Sequence, residues 1–151
     1  MKILKILSII FSLILLDLSA NAQELSARKK QKATPASNYA ILPYDISYDN
    51  IINMDKGARQ ASLNQDELNK VKIILVRAAK QNKLRVYKRQ YICVIDQHGN
   101  KLVWVNCFCE AFDSSWKTSI LLVFDGGDCF YNLTINLTTG KYYNLIVNGK
   151  A

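Results

Sequence analysis

The sequence predicts an α+β domain in which one long helix packs on a five-strand antiparallel meander sheet. Three observations carry this. A helix-period apolar stripe runs through residues 64–81, two-residue alternation follows from 84 to 147, and turn-forming clusters cut that alternation into strands. The chain has 151 residues, half of them hydrophobic, with only 2 Pro and 6 Gly. That is one globular domain's worth, and it excludes collagen-like and low-complexity classes.

Residues 1–22 read as a signal peptide. Lys2 and Lys5 form a positive n-region, residues 6–16 are apolar apart from Ser8 and Ser12, and Ala20-Asn21-Ala22 offers the small residues a signal peptidase recognises. The apolar run falls short of the ~20 residues a membrane span needs. Cleavage after Ala22 leaves 18 basic and 11 acidic residues, with no transmembrane segment in the mature form. The expected location is periplasmic or secreted. Residues 23–38, with Arg28-Lys29-Lys30-Gln31-Lys32 ahead of Pro35, read as a flexible basic leader. Residues 39–151 then form a single α+β domain.

The domain opens with an apolar, aromatic stretch over 39–52, interrupted by Pro43, that reads as ordered coil or a short edge strand. Asn64 and Glu67 have capping-box spacing, and Leu63 and Leu68 are placed as a hydrophobic staple. Leu68, Val71, Leu75, Ala78 and Ala79 recur at helical spacing as the core-facing stripe. Ile73, Ile74 and Val76 widen it, so the helix is expected to be largely covered and to end near Gln81-Asn82.

Strands are expected over 84–96, 101–109, 119–124, 129–137 and 141–147. Gln97-His98-Gly99-Asn100 joins the first pair, and Asp125-Gly126-Gly127-Asp128 the next. Alternation puts Cys129, Tyr131, Leu133 and Ile135 on one face with Tyr143, Leu145 and Val147. Asn132, Thr134, Asn136 and Asn144 face away. The expected core is Leu68, Val71, Leu75, Val103, Val105, Leu133, Ile135, Leu145 and Val147. One conflict stands: the parity that buries Cys93 and Ile95 also turns Arg85 and Arg89 inward. Either a bulge near 88–90 resets the faces, or the strand outruns the helix there.

Little in the sequence suggests catalysis. His98 is the single imidazole and sits in a predicted hairpin turn, with Cys93 ~17 Å away along an extended strand. Cys107-x-Cys109 lacks the paired Cys-x-x-Cys pattern of a thiolate metal site. Asp125-Gly-Gly-Asp128 offers too few oxygens for calcium, and its glycines suit a turn with positive φ. No acid, base and nucleophile constellation is recognisable. No catalytic, metal-ligating or cofactor-binding residue is assigned, and no cofactor is expected.

Charge is the stronger lead. Arg77, Lys80, Lys83, Arg85, Lys88 and Arg89 fall within an acid-free stretch, with Tyr87 and Tyr91 alternating with Arg85 and Arg89. Arg77, Lys80, Lys83, Arg85, Tyr87, Lys88 and Arg89 are therefore the candidate patch for an anionic partner: an envelope glycolipid, a polysaccharide or an acidic protein surface. Export argues against nucleic acid. The reading is a non-catalytic exported domain that binds an anionic or protein partner at the cell envelope, through a sheet face or the basic helix–strand junction. The alternative is an inhibitor of a secreted or periplasmic hydrolase.

The stretches Tyr87-Lys88-Arg89-Gln90-Tyr91, Val103-Trp104-Val105-Asn106-Cys107-Phe108-Cys109, Trp116-Lys117, Asp125-Gly126-Gly127-Asp128-Cys129, Ile135-Asn136-Leu137 and Val147-Asn148-Gly149 occur in this order. Together they resemble an uncharacterised family of small secreted bacterial α+β proteins, over roughly residues 40–151. The helix-then-sheet order is similar to cystatin-like and PepSY-type domains in topology alone, which transfers no activity. The cysteines divide the two lines of reasoning. Meander arithmetic sets Cys93 beside Val105 and makes Cys93–Cys107 the nearest pair. The family resemblance, whose motifs contain Cys109 and Cys129, implies Cys109–Cys129 and leaves Cys93 and Cys107 as buried thiols free to pair.

Overall fold

The computed structural model describes residues 38–54, 57–111 and 113–149. The expected signal peptide, and the leader up to residue 37, lie outside the described residues. The fold of the described residues is α+β, with six strands and two helices on a mixed sheet. It is not the five-strand antiparallel sheet under a single helix that alternation predicts.

β1 (Tyr39–Leu42) leads through a 3-10 turn at Ile46–Tyr48 into the short α1 (Asp49–Ile52), then β2 (Arg59–Gln60) and the long α2 (Gln65–Gln81). The rest of the sheet is β3 (Lys88–Ile95), β4 (Lys101–Phe108), β5 (Phe130–Asn136) and β6 (Lys141–Val147), in the order β1-β3-β4-β5-β6. β1 runs parallel to β3, with Tyr39 opposite Arg89, and β2 pairs antiparallel beyond it, with Gln60 opposite Val94. Two short strands thus share one edge of β3.

α2 forms where its caps dictate. The Asn64 side chain accepts the Glu67 N–H at 2.9 Å, and Glu67 Oε2 accepts the Asn64 N–H at 2.9 Å. Glu67 Oε1 also takes the Lys101 ammonium at 2.6 Å, tying the start of the helix to the start of β4. The Lys101 ammonium first, then the Asn64 N–H, hold the Glu67 carboxyl below its ordinary value of 4.5. A depressed carboxyl stabilises the fold above its unfolded value, and this contribution disappears as pH falls through the folded value. Urea midpoints followed from neutral pH into acid should therefore fall less steeply for Glu67→Gln than for the parent chain. Equal acid slopes would remove Glu67 from the acid limb.

The buried stripe of α2 packs on one face of the sheet. Leu68, Val71, Ile74, Leu75 and Ala78 meet Tyr91 and Cys93 of β3, Val103, Val105 and Cys107 of β4, and Tyr131, Leu133 and Ile135 of β5. Ile73 and Val76 are not part of this core. They stand 68% and 56% exposed on the outer side of the helix, against the expectation of a covered helix. One helix lies over one face, and residues one turn round from the seam have nothing to pack against.

The second face is covered too. Ala40 and Leu42 of β1, Ile52 of α1, Met54 and Trp116 enclose Ile92, Val94, Leu102, Trp104 and Phe108. Trp116 comes from the excursion 110–128, which contains the expected third strand at 119–124. Those residues form no strand. The excursion leaves β4, lies on the second face and returns, so β4 pairs directly with β5 through Phe108–Phe130 to Leu102–Asn136. An apolar run such as Ser119-Ile120-Leu121-Leu122-Val123-Phe124 suits a strand or a packed cover equally well, and here tertiary packing decides.

The strand conflict resolves without a bulge. β3 begins only at Lys88, so Arg85 never enters its alternation, and the β3–β4 ladder is continuous. Arg89 keeps the parity of Tyr91 and Cys93 and lies half-buried opposite Cys107. The β5–β6 register slips between Asn132 and Thr134, and Asn144 of β6 has φ +52. That slip moves Tyr143 opposite Thr134 on the second face and puts Tyr142 opposite Ile135 on the helix side. Val147, expected in the core, is 41% exposed on the edge strand.

Cys109 and Cys129 form a disulfide, with Cα atoms 5.2 Å apart. They extend the β4–β5 ladder by one step, since the Cys109 N–H donates to the Cys129 carbonyl at 3.1 Å. Cys93 and Cys107 are free and buried. The turn over 96–100 sets Cys93 opposite Val103 rather than beside Val105, and Cys107 opposite Arg89. The two thiols therefore lie about 13 Å apart along the ladder, beyond bonding reach. Among the described residues no helix is long and apolar enough to cross a membrane; this and the disulfide are compatible with export.

Candidate functional site

The second face holds an open groove of about 480 Å³. It arises because the excursion 110–128 and α1 cover β3 and β4 while leaving much of β5 and β6 bare. Ladder registry supplies its floor at Asn106, Asn132 and Ile146, in a row that continues to Gln90 beneath the excursion. Gln90, Asn106, Asn132 and Ile146 are successive partners across β3, β4, β5 and β6, so their side chains lie in one row across the same face. The row begins as buried carboxamides and ends on an exposed aliphatic side chain.

The first two carboxamides fasten the excursion. The Gln90 amide donates to the carbonyls of Trp116 and Ser119 at 2.5 and 2.6 Å, and its oxygen accepts the Leu121 N–H at 2.9 Å. Asn106 Nδ2 donates to Gln90 Oε1 at 3.0 Å and to the Leu121 carbonyl at 2.8 Å. These bonds satisfy backbone groups that the packed excursion withdraws wholly or partly from water. Farther along, Asn148 Nδ2 donates to the Val123 carbonyl and, at 3.1 Å, to that of Asp125. The Gly127 N–H donates to the Gly149 carbonyl at 2.9 Å. Gly126 has φ +90, and a Cβ there would fall 2.5 Å from the Phe130 ring, so both backbone and space call for glycine. Positive φ is what the Gly-Gly pair was expected to supply, though in a loop rather than a two-residue hairpin.

The excursion so held forms one wall, with Leu122 47% and Phe124 90% exposed. Asn50 and Ile51 of α1 form the other, and Val147, Asn148 and Gly149 close one end. The lining is aliphatic, aromatic and carboxamide. Such a surface can bury apolar side chains while the Asn50 and Asn132 amides, which the excursion does not use, exchange donor–acceptor pairs with a peptide backbone.

The basic candidates do not form one patch. Arg77 is on the outer side of α2, where Nη2 donates to the Gly140 carbonyl at 3.0 Å. Lys80 and Lys83 are exposed around the end of α2. Arg85 Nη1 donates to the Tyr87 hydroxyl at 3.1 Å, and Arg89 Nη1 to the Tyr87 carbonyl at 3.3 Å, so these three gather. Arg85 and Tyr87 share a small depression with the disulfide and the acidic Asp128. Lys88 belongs to the second face, 6.0 Å from the centre of the Trp116 ring.

His98 is exposed in its turn, which Asp96 organises by accepting the His98 and Asn100 N–H groups at 2.9 and 2.8 Å. Burial pushes the Cys93 thiol up to about 11 and the Cys107 thiol up to about 12, so both are protonated at neutral pH and poor nucleophiles. No cluster of three His, Cys, Asp or Glu suited to a metal occurs among the described residues.

Sequence reasoning missed the groove. Its signal was present: Gln90, Asn106 and Asn132 are amides inside otherwise apolar strands, and an amide at a covered position needs partners. Comparison with protein-family models, with curated proteins and with solved structures finds no match to this chain.

Proposed function

We propose that the chain is an exported, non-catalytic binding domain of the cell envelope that holds a protein partner by an extended peptide segment laid in the second-face groove. One observation carries the reading. A row of carboxamides leads from the buried Gln90 and Asn106 to Asn132 and Ile146, beneath the exposed Leu122 and Phe124. Exposed apolar side chains that converge on a concave, amide-floored surface mark a contact site rather than scattered surface residues. The Asn132 and Asn50 carboxamides match a peptide group's paired donor and acceptor, and the aliphatic rim takes the side chains.

A photo-crosslinking benzophenone side chain in place of Phe124, introduced in the producing cells, tests this. It should give an adduct that maps to an extended segment of one envelope protein, and Ile146→Asp should abolish it. Equal adduct yield from a benzophenone at Lys117, outside the groove lining, would refute the groove as the contact site.

A further inference from the structure

We infer that the outer face of α2 docks on an anionic lipid surface, with Ile73 and Val76 entering the acyl boundary and Lys70 and Arg77 taking phosphodiester headgroups. The inference is independent of the groove, which lies on the other side of the sheet. Ile73 and Val76 are one turn apart on the same face and 68% and 56% exposed. Cations surround them. Lys70 stands one turn before Ile73, Arg77 one turn after it, and Lys80 one turn after Val76, all exposed. No Asp or Glu occurs between Glu67 and Asp96.

The headgroup position has a shape as well as a charge. Lys70, Ile73 and Arg77 line an open depression of about 420 Å³ with Thr138, Thr139 and Gly140 of the β5–β6 turn. Arg77 is fixed over it by its hydrogen bond to the Gly140 carbonyl at 3.0 Å, which leaves its other N–H groups for an anion. Two cations and two hydroxyls beside an exposed isoleucine suit a phosphodiester that carries an apolar chain. A polysaccharide would meet the charges but gives Ile73 and Val76 no apolar phase to enter. A helix with cations flanking exposed aliphatics is the interfacial pattern of peripheral membrane proteins.

Sedimentation of the naturally processed chain with vesicles of equal phosphatidylglycerol and phosphatidylcholine tests this. Binding should be strong at low salt, should fall steeply with added salt, and should be absent from phosphatidylcholine alone. Lys70→Gln or Arg77→Gln should each weaken it about five-fold. Ile73→Ser with Val76→Ser should weaken it by roughly ten-fold or more. Lys117→Gln, on the far side of the sheet, and Ile146→Asp, in the groove, should leave it unchanged.

Four results overturn the inference. One is no binding to the anionic vesicles. Another is an equal loss from Lys117→Gln, which would make the attraction mere net charge. The third is undiminished binding by the Ile73→Ser, Val76→Ser chain together with undiminished retention on heparin, which would assign the face to polyanions. Loss of vesicle binding in Ile146→Asp alone would instead move lipid to the groove.

Discussion

Gln90→Leu is expected to cost about 3–5 kcal/mol and to lift the excursion 110–128 from the sheet. The leucine fills nearly the same volume, so the loss is one of polar partners rather than packing. Gln90 is fully buried and makes four hydrogen bonds, three of them to the backbone of Trp116, Ser119 and Leu121. Deleting it leaves the buried Trp116 carbonyl and the part-buried Ser119 carbonyl and Leu121 N–H without partners, at ~1–3 kcal/mol each for the buried groups, until the loop rises into water. Release of the loop caps the total. Both tryptophans report the event, because Trp104 and Trp116 are buried in the cluster the loop covers. Native-state fluorescence should shift to longer wavelength, and the urea midpoint should drop. A change below about 1 kcal/mol with unaltered fluorescence would show that the clamp does not hold the loop.

The second large effect has the opposite anatomy. Replacing Cys109 and Cys129 together by serine should cost about 3 kcal/mol, the loop-closure entropy of a cross-link spanning twenty residues. That term belongs to the unfolded chain. With Gln90, Asn106 and Asn148 still in place, the folded loop stays docked, so native fluorescence should not move while stability falls. The two changes therefore separate a device acting on the folded loop from one acting on the open chain. Combining them should give a non-additive loss, since both act on one segment. If the serine chain shows the red-shifted fluorescence expected of Gln90→Leu, the disulfide is what holds the wall in place.

Much of the frame was legible because it is locally encoded. The Asn64–Glu67 box, the apolar stripe to Ala79, the turn at 96–100 and the last hairpin are each set by residues near one another in the chain, and each is found at or close to its expected position. What escaped needed distant partners. The stretch that holds β1 reads as coil or a short edge strand, but nothing local signals its parallel pairing with β3. The excursion has a strand-like composition yet packs as cover. Tyr143 changed faces because one left-handed residue, Asn144, interrupts the alternation. The Cys109–Cys129 bond, implied by resemblance and opposed by meander arithmetic, became possible once β4 paired with β5 directly. The groove was illegible for the same reason: its floor is a row drawn across β4, β5 and β6, and only registry reveals it.

The placement of β1 bears on how the molecule assembles. Tyr39 waits for Arg89, fifty residues downstream, so this edge is synthesised well before anything it can join. α2 nucleates on its own caps and the β3–β4 hairpin on its own turn, whereas the parallel contact carries the larger loop-closure entropy and comes late. Until then the backbone of β3 from Arg89 to Ile92 is an open template beside Tyr91 and Ile92. Another chain's 39–42 segment fits it as well as its own. Exchange of that segment between copies is therefore the natural misassembly of this fold, and its chance rises with concentration during maturation.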